Sequence, residues 1–392
     1  MPSLYLVIFG IIVICAVITL IKPQYDKWLY YGCLAVMTLF LMLRFGQGTD
    51  YPGYLCIYET ADVVFSTDGS FSQYLNMIHT EIGWKVCMVL FKFLDMDFWI
   101  VIAFFAAVTM LATHLAITTF CEKYRVVALL LLYPTVYLTY YFSGIRQGFA
   151  MAVFFGILVK RAIDKKYISY VLGVLLLSTI HKASLCYLIV PIILVLSKKI
   201  FVLGTILSFV LSAAMILNPI REIIKNLAVS IGASAGYFGE PTISWFSLLE
   251  RTVMLAFVLI MYLKGKQSTE LKKRAVPLLK IYLTGYLIYI CLLSTSFVSS
   301  RLAIMFKMGE FLLIPMLMEE TQVRIRNFIM TAVVALSVLM SYKNINSYAS
   351  GYYEGITGVN YPYVSIFNRQ DILLYREEFV NEIYDFRERD YI

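Results

Sequence analysis

Two short stretches break apolar sequence with residues able to hold an oxyanion. Ser143-Gly144-Ile145-Arg146-Gln147 lies between Tyr141 and Phe149, and His181-Lys182-Ala183-Ser184 makes a comparable break. Arg146 carries a planar fork of donors suited to phosphate, and Gln147 adds a second donor beside it. His181 can exchange a proton near neutral pH or donate to a phosphate, with the Lys182 ammonium next to it. Each has a plainer explanation: an arginine snorkelling to headgroups, a histidine capping a tight turn. A third stretch runs from Arg44 through Asp50, Tyr51, Pro52 and Tyr54 to Tyr58. Asp50 suits a helix N-cap with Pro52 in the first turn. Tyr51, Tyr54 and Tyr58 then share one helical face. A carboxylate beside such an aromatic platform suits sugar rings, although a capped interfacial helix with a tyrosine belt explains the same spacing. Glu81 supplies another carboxylate. Finally, Ser299 or Ser300 can cap a helix, leaving Arg301 in its first turn, where the dipole disfavours a cation unless an anion is near.

The elements that position these residues follow from composition. The chain has 392 residues, 60% hydrophobic and only 15% charged, with mean hydropathy +0.78. Soluble domains carry nearer a quarter charged residues, so the soluble class is excluded at once. Apolar runs able to cross a bilayer lie near 4–20, 28–43, 98–120, 126–142, 147–159, 168–180, 184–197, 200–218, 246–263, 277–293, 301–318 and 327–341. Inside lipid only helices satisfy the backbone of such runs. The sequence therefore predicts an all-α polytopic membrane protein of about twelve spans. Its first run lacks a basic leader region and a small-residue cleavage site, and reads as a retained span.

Net charge is +8, but the cations sit in short clusters between apolar runs: Lys22/Lys27, Lys123/Arg125, Lys160 to Lys166, Lys198/Lys199, Lys264 to Arg274 and Arg324/Arg326. That pattern is topology, with those clusters cytoplasmic, and not a nucleic-acid stripe. Glu81–Leu94 is short and carries Lys85 and Lys92 on one face, so it reads as an interfacial or re-entrant helix. Residues 44–97 and 219–245 then form external loops of a single transmembrane domain, 1–341, and 342–392 an external tail. The 30 tyrosines suit interfacial girdles and a wet polar face. Seven scattered cysteines show no metal-ligand spacing, and no Gly-rich nucleotide loop is present. Lys280 and Lys307 are the deep charges, with no Asp or Glu expected mid-span; polar features crowd the outer boundary instead. That distribution favours surface chemistry over a carrier, which places polar groups near the midplane.

In these residues the chain resembles the EpsG family of polysaccharide-biosynthesis membrane proteins, a branch of the Wzy-type O-antigen and capsule polymerases. The matching pieces occur in order over roughly residues 40–310: Arg44 with Gly48-Thr49-Asp50-Tyr51 and Tyr54, Glu81-Ile82-Gly83-Trp84, Arg146-Gln147 with Ala150, His181-Lys182-Ala183-Ser184, and Arg301. Tyr361-Pro362-Tyr363 has the same family flavour. The resemblance implies a glycosyltransferase on the outer face of the bacterial inner membrane. It would move a growing glycan from undecaprenyl pyrophosphate to an incoming lipid-linked oligosaccharide. No cofactor, metal or nucleic acid is implied; membrane lipid and a chain-length regulator are the further partners. Arg146 and Arg301, helped by Arg44, would hold the departing pyrophosphate. Asp50, Glu81 or His181 would take the hydroxyl proton, while Tyr51, Tyr54, Tyr58, Gln147 and Lys182 bind substrate. A lipid-linked oligosaccharide flippase or other transporter, and an O-antigen ligase, are the rival readings.

Overall fold

The computed structural model describes residues 3–48, 50–215, 218–230, 243–265, 268–350 and 363–369. Among the described residues the regular secondary structure is helical, apart from one isolated antiparallel bridge between Arg44 and Ser365. Helices α1 (Leu4–Ile21) and α2 (Asp26–Met42) precede three shorter ones, α3 (Tyr51–Thr60), α4 (Phe71–Met77) and α5 (Ile82–Phe93). Next come α6 (Phe98–Phe120), α7 (Arg125–Leu132), α8 (Ile145–Val153), α9 (Val159–Ile163), α10 (Tyr167–Ser178) and α11 (Val190–Val195). The remainder are α12 (Lys198–Met215), α13 (Asn218–Ser230), α14 (Trp245–Lys264), α15 (Thr269–Cys291), α16 (Ser296–Met318) and α17 (Val323–Ser350). Wide π turns extend α7 over Tyr133–Tyr141 and α8 over Phe154–Leu158.

Among the described residues, six helical stretches are long and apolar enough to cross a bilayer: α1, α6, α12, α14, α15 and Val323–Asn344 of α17. Arg125–Tyr141, Tyr167–Ser178 and Lys182–Val195 are shorter apolar helices. Along α12, Val202, Leu203, Ile206, Phe209 and Val210 are all exposed. An apolar surface of that extent is stable against lipid tails and not against water. The chain is a multi-pass all-α membrane protein, as its composition predicts, and α5 coincides with the helix expected over 81–94.

Helix α17 runs past residue 341, to Ser350. The described tail piece is also docked: Phe45 N–H donates to Val364 O at 2.9 Å, Ile366 N–H to Leu43 O at 2.9 Å, and Tyr363 OH to Phe40 O at 2.7 Å. Tyr361, Pro362, the charged end 371–390 and the Gly-rich part of loop 219–245 lie outside the described residues.

The fold divides into two compact units. Unit 1 comprises 1–158, 171–185 and 334–392; unit 2 comprises 159–170 and 186–333. In unit 1, tyrosines expected at girdles act instead as buried cross-links. Tyr133 OH donates to Tyr5 O at 2.7 Å, Tyr137 OH to Met37 O at 2.6 Å, and Tyr141 OH pairs with Thr113 Oγ1 at 2.8 Å. In apolar surroundings each hydroxyl needs a partner, supplied by a backbone carbonyl for Tyr133 and Tyr137 and by the Thr113 hydroxyl for Tyr141. In unit 2, α15 and α16 pack closely through Gly285, where an added Cβ would lie 2.5 Å from Phe306 Cβ. Lys280 on α15 reaches the terminal carbonyls of Leu194 and Leu196, each at 2.7 Å, closing the end of α11.

Candidate functional site

In unit 1 the site is organised by one close backbone approach. Gly83 N–H donates to Thr179 O at 2.8 Å, and Trp84 N–H to the same oxygen at 3.3 Å. An added Cβ at Gly83 would lie 2.2 Å from Thr179 Oγ1 and 2.8 Å from Thr179 O, so only glycine permits the contact. The start of α5 is thereby held against the turn that ends in His181 and Lys182. Glu81, at the N-cap of α5, receives the Lys182 backbone N–H on Oε1 at 2.9 Å. Its other oxygen, Oε2, is ion-paired with Arg146 Nη1 and accepts from Thr80 Oγ1 at 3.0 Å. Arg146 Nη1 also donates to the Thr80 hydroxyl, and His181 Nδ1 lies 3.9 Å from Glu81 Oε1.

Arg146 is the second residue of α8. Gly148 sets that helix against the preceding segment, because a Cβ there would meet Tyr140 O at 2.6 Å. The guanidinium lies 5.5 Å over the Tyr54 ring, and Tyr54 OH points at Asp50 Oδ2 at 3.5 Å. Burial, with Asp50 adding to it, pushes the Tyr54 hydroxyl up to about 12, so it stays a donor at neutral pH. For Glu81, burial works upward, but Arg146, the Lys182 N–H and His181 outweigh it and hold the carboxyl below its ordinary value. Glu81 is thus an anion held by donors from two other segments. Arg146 Nε is buried and makes no hydrogen bond among the described residues.

Of the predicted site residues, the structure gathers Glu81, Arg146, His181 and Lys182, with Asp50 reached through Tyr54. Others fall elsewhere. Arg44 is 1% exposed, donates to Tyr141 O at 3.0 Å and lies 4.7 Å over the Phe142 ring. The 363–369 piece pairs with residues 43–45 around this buried arginine. Asp50 occupies the N-cap position without capping: its backbone is helical (φ −94, ψ −3) where a capping carboxylate needs an extended one. Tyr51, Tyr54 and Tyr58 do share a face, but all three are buried in a cluster with Trp84 and Phe98. They are core, and present no open platform to a sugar. Gln147 is buried in α8. Arg301 belongs to unit 2 and is exposed; α16 begins at Ser296 after Thr295, which moves Arg301 to the second turn.

Three features of this arrangement carried no earlier weight. Thr80 completes the oxyanion contacts, and its adjacency to Glu81 was the available signal. Gly83 and Thr179 fix the approach, which sequence spacing cannot express. In unit 2, contrary to expectation, two carboxylates lie within the long helices. Lys307 pairs directly with Glu250 of α14 and lies 3.7 Å from Glu310, which accepts Tyr282 OH at 2.8 Å. The i,i+3 spacing of Lys307 and Glu310 was the readable trace of that cluster. Among the described residues no group of His, Cys, Asp and Glu could hold a metal ion.

A multi-pass helical membrane protein in which an arginine, a threonine hydroxyl and a backbone N–H converge on one carboxylate is the class these features define. The chain matches the EpsG family over residues 27–365, and it belongs to that family of polysaccharide-biosynthesis membrane proteins. No curated protein and no solved structure matches it.

Proposed function

We propose that the protein is a polysaccharide polymerase acting on polyprenyl-diphosphate-linked glycans at the outer face of the bacterial inner membrane. One observation carries the reading: the Arg146 guanidinium, the Lys182 N–H and the Thr80 hydroxyl meet at one carboxylate, beside His181. Donors so arranged suit a phosphate oxygen as well as a carboxylate, and the lipid diphosphate is the anion that this chemistry must release. In the reaction an acceptor hydroxyl oxygen bonds to the anomeric carbon of the growing chain. The bond from that carbon to the diphosphate oxygen breaks, and the diphosphate departs with the electron pair. When a phosphate oxygen takes over Arg146, Glu81 loses the pairing that lowers it, while its burial remains. It becomes a stronger base at that moment and can accept the hydroxyl proton, with His181 beside it as the alternative acceptor.

The charges inside the long helices of unit 2 favour a second reading, a carrier of lipid-linked oligosaccharide. Glycan length separates the readings. Cells lacking the gene should retain single repeat units on the final carrier and lose the long ladder. Long chains stranded on the polyprenyl lipid would mean a ligase, and units trapped facing the cytoplasm a flippase. In complemented cells, Arg146→Gln should abolish the ladder at normal membrane abundance. A normal ladder in that variant would overturn the diphosphate assignment.

A further inference from the structure

At the start of α6, in unit 1, Asp97 holds the N-cap position with ψ 146, a backbone from which a carboxylate can cap its helix. It makes no such cap. Its Oδ2 accepts the Trp99 indole N–H at 3.0 Å instead. Forgoing the cap costs about 1 kcal/mol, and the indole is fixed in orientation as a result. The Arg369 guanidinium reaches the same place from the far end of the chain, 5.8 Å over the Trp99 ring and 5.2 Å over the Phe45 ring. Arg369 is ordered in its own right. Its Nε donates to Ile366 O at 3.1 Å, and the Ser365 N–H and hydroxyl both meet Asn368 Oδ1 at 2.7 Å. Backbone bonds to residues 43–45 hold the whole turn in place. An arginine on a surface ordinarily loses rotamer freedom when it binds, and here folding has already removed it. Asp97 and Arg369 are exposed and Trp99 is partly so. A tryptophan that only anchors a helix end keeps its N–H for headgroups and water. This one has its N–H on a carboxylate and its ring beside a cation.

We infer that Trp99, Asp97 and Arg369 form a saccharide subsite, taking an uncharged sugar ring of the glycan. A carboxylate has about four lone-pair positions, so Asp97 can accept sugar hydroxyls while it holds the indole. The guanidinium donates to the neighbouring ring oxygens, and the open part of the indole takes the apolar face of the sugar. The surrounding charge selects against an anion. Burial, then Glu59, Asp62, Asp97 and Asp95, push the nearby Tyr58 hydroxyl up to about 12, which places these four carboxylates around one spot. Lys92 pairs with Glu59 and Asp62, and the rim stays net negative. A phosphate headgroup is repelled there, whereas a polyol is not. The corner also connects with the Arg146 cluster. The Phe45 ring lies 6.5 Å from Tyr51 of α3, and Tyr54, one turn on, lies under the Arg146 guanidinium. Membership of a polysaccharide-biosynthesis family supplies the ligand class, so the subsite serves the polymerase, ligase and carrier readings alike.

The test is calorimetric titration of the full chain in nanodiscs with oligosaccharides released by mild acid from the producing cell's own polysaccharide. Wild type should bind them. Trp99→Ala and Arg369→Gln should each weaken binding about ten-fold or more at an unchanged melting temperature, the effect of losing one contact to a charged group. Trp99→Phe, which keeps a ring without the N–H, should fall between. If Trp99→Ala melts early, Arg369→Gln, at an exposed position, carries the test alone. Wild-type affinity in Trp99→Ala and Arg369→Gln would overturn the inference, making the cluster a clasp for residues 363–369 and leaving the polymerase reading untouched. Replacing phosphatidylcholine by phosphatidylglycerol in the nanodisc tests the other occupant. Unchanged binding supports the saccharide, whereas binding abolished by the anionic lipid would make the corner a headgroup site and overturn the inference. A normal ladder in Arg146→Gln would remove the diphosphate assignment and leave this subsite standing.

Discussion

The Arg146–Glu81 pair and the Lys307–Glu250–Glu310 cluster are built differently. In unit 1, Arg146 and Glu81 have side chains 23% and 20% exposed, and they meet where helix ends and turns converge. In unit 2, Lys307, Glu250 and Glu310 are 4%, 6% and 2% exposed and lie within long helices. The first pair can exchange partners: water reaches it, the arginine has donors to spare, and the carboxylate is anchored independently by the Lys182 N–H. The second cannot, because separating its charges would strand them in an apolar interior. An ion pair in a membrane protein is therefore a candidate ligand site when it is reachable and over-supplied with donors. When it is sealed and balanced by tyrosine, it holds helices together.

The sharpest way to break that contrast is to remove the single ammonium of the sealed cluster. Lys307→Met leaves two buried carboxylates facing each other and should cost about 3–5 kcal/mol, read as lost yield and a lowered Tm of detergent-solubilised protein. Adding Glu250→Gln should restore much of that loss. If Lys307→Met folds normally and abolishes only the glycan ladder, the cluster is catalytic and the contrast fails.

Gly83→Ala probes the other region with a smaller effect. The new methyl group would collide with Thr179 Oγ1 and crowd Thr179 O, so α5 must shift away from the turn. Overpacking of this kind costs about 1–3 kcal/mol. Its larger consequence is geometric, since Glu81 would move off the Lys182 N–H. The glycan ladder should shorten sharply at near-normal abundance, and Thr179→Ala should recover part of it by clearing the Oγ1 contact. An unchanged ladder would mean that the approach of α5 does not set the cradle.

The long helices were legible because lipid leaves the backbone no alternative: against about twelve expected spans, six helices among the described residues have spanning length and apolarity, and each falls on one of the predicted apolar runs. Arg146, Glu81, His181 and Lys182 were legible as residue types at span ends. Their pairing was not, since nothing in the sequence relates position 81 to 146 or 182; the Gly83–Thr179 contact does. The burial of Arg44 was illegible for a similar reason: nothing in the sequence pairs residues 43–45 with 364–366. The tyrosines misled because a girdle and a buried cross-link require the same side chain, and only the partner carbonyl distinguishes them. Glu250 and Glu310 escaped notice because each lies in an apolar run and shows its purpose only beside Lys307.

The gentlest probe is pH, and it addresses whether Glu81 is held as an anion at all. Its carboxyl is depressed in the folded state, by Arg146 and the Lys182 N–H against the opposing effect of burial. A depressed carboxyl contributes stability that is fully present above its ordinary value and disappears as pH falls through the folded value. Wild type should therefore exceed Glu81→Gln in stability by about 1 kcal/mol at neutral pH, a modest figure because the pair is partly solvated. The gap should close as the pH is lowered past the ordinary carboxylate range. Because other carboxyls titrate alike in both proteins, the difference in Tm isolates this one. With farnesyl diphosphate bound as a short-chain lipid diphosphate, the neutral-pH gap should shrink further, since the phosphate would have taken Glu81's place on Arg146. A gap that persists into acid, or that the probe leaves untouched, would make the pair a fixed brace like the one in unit 2.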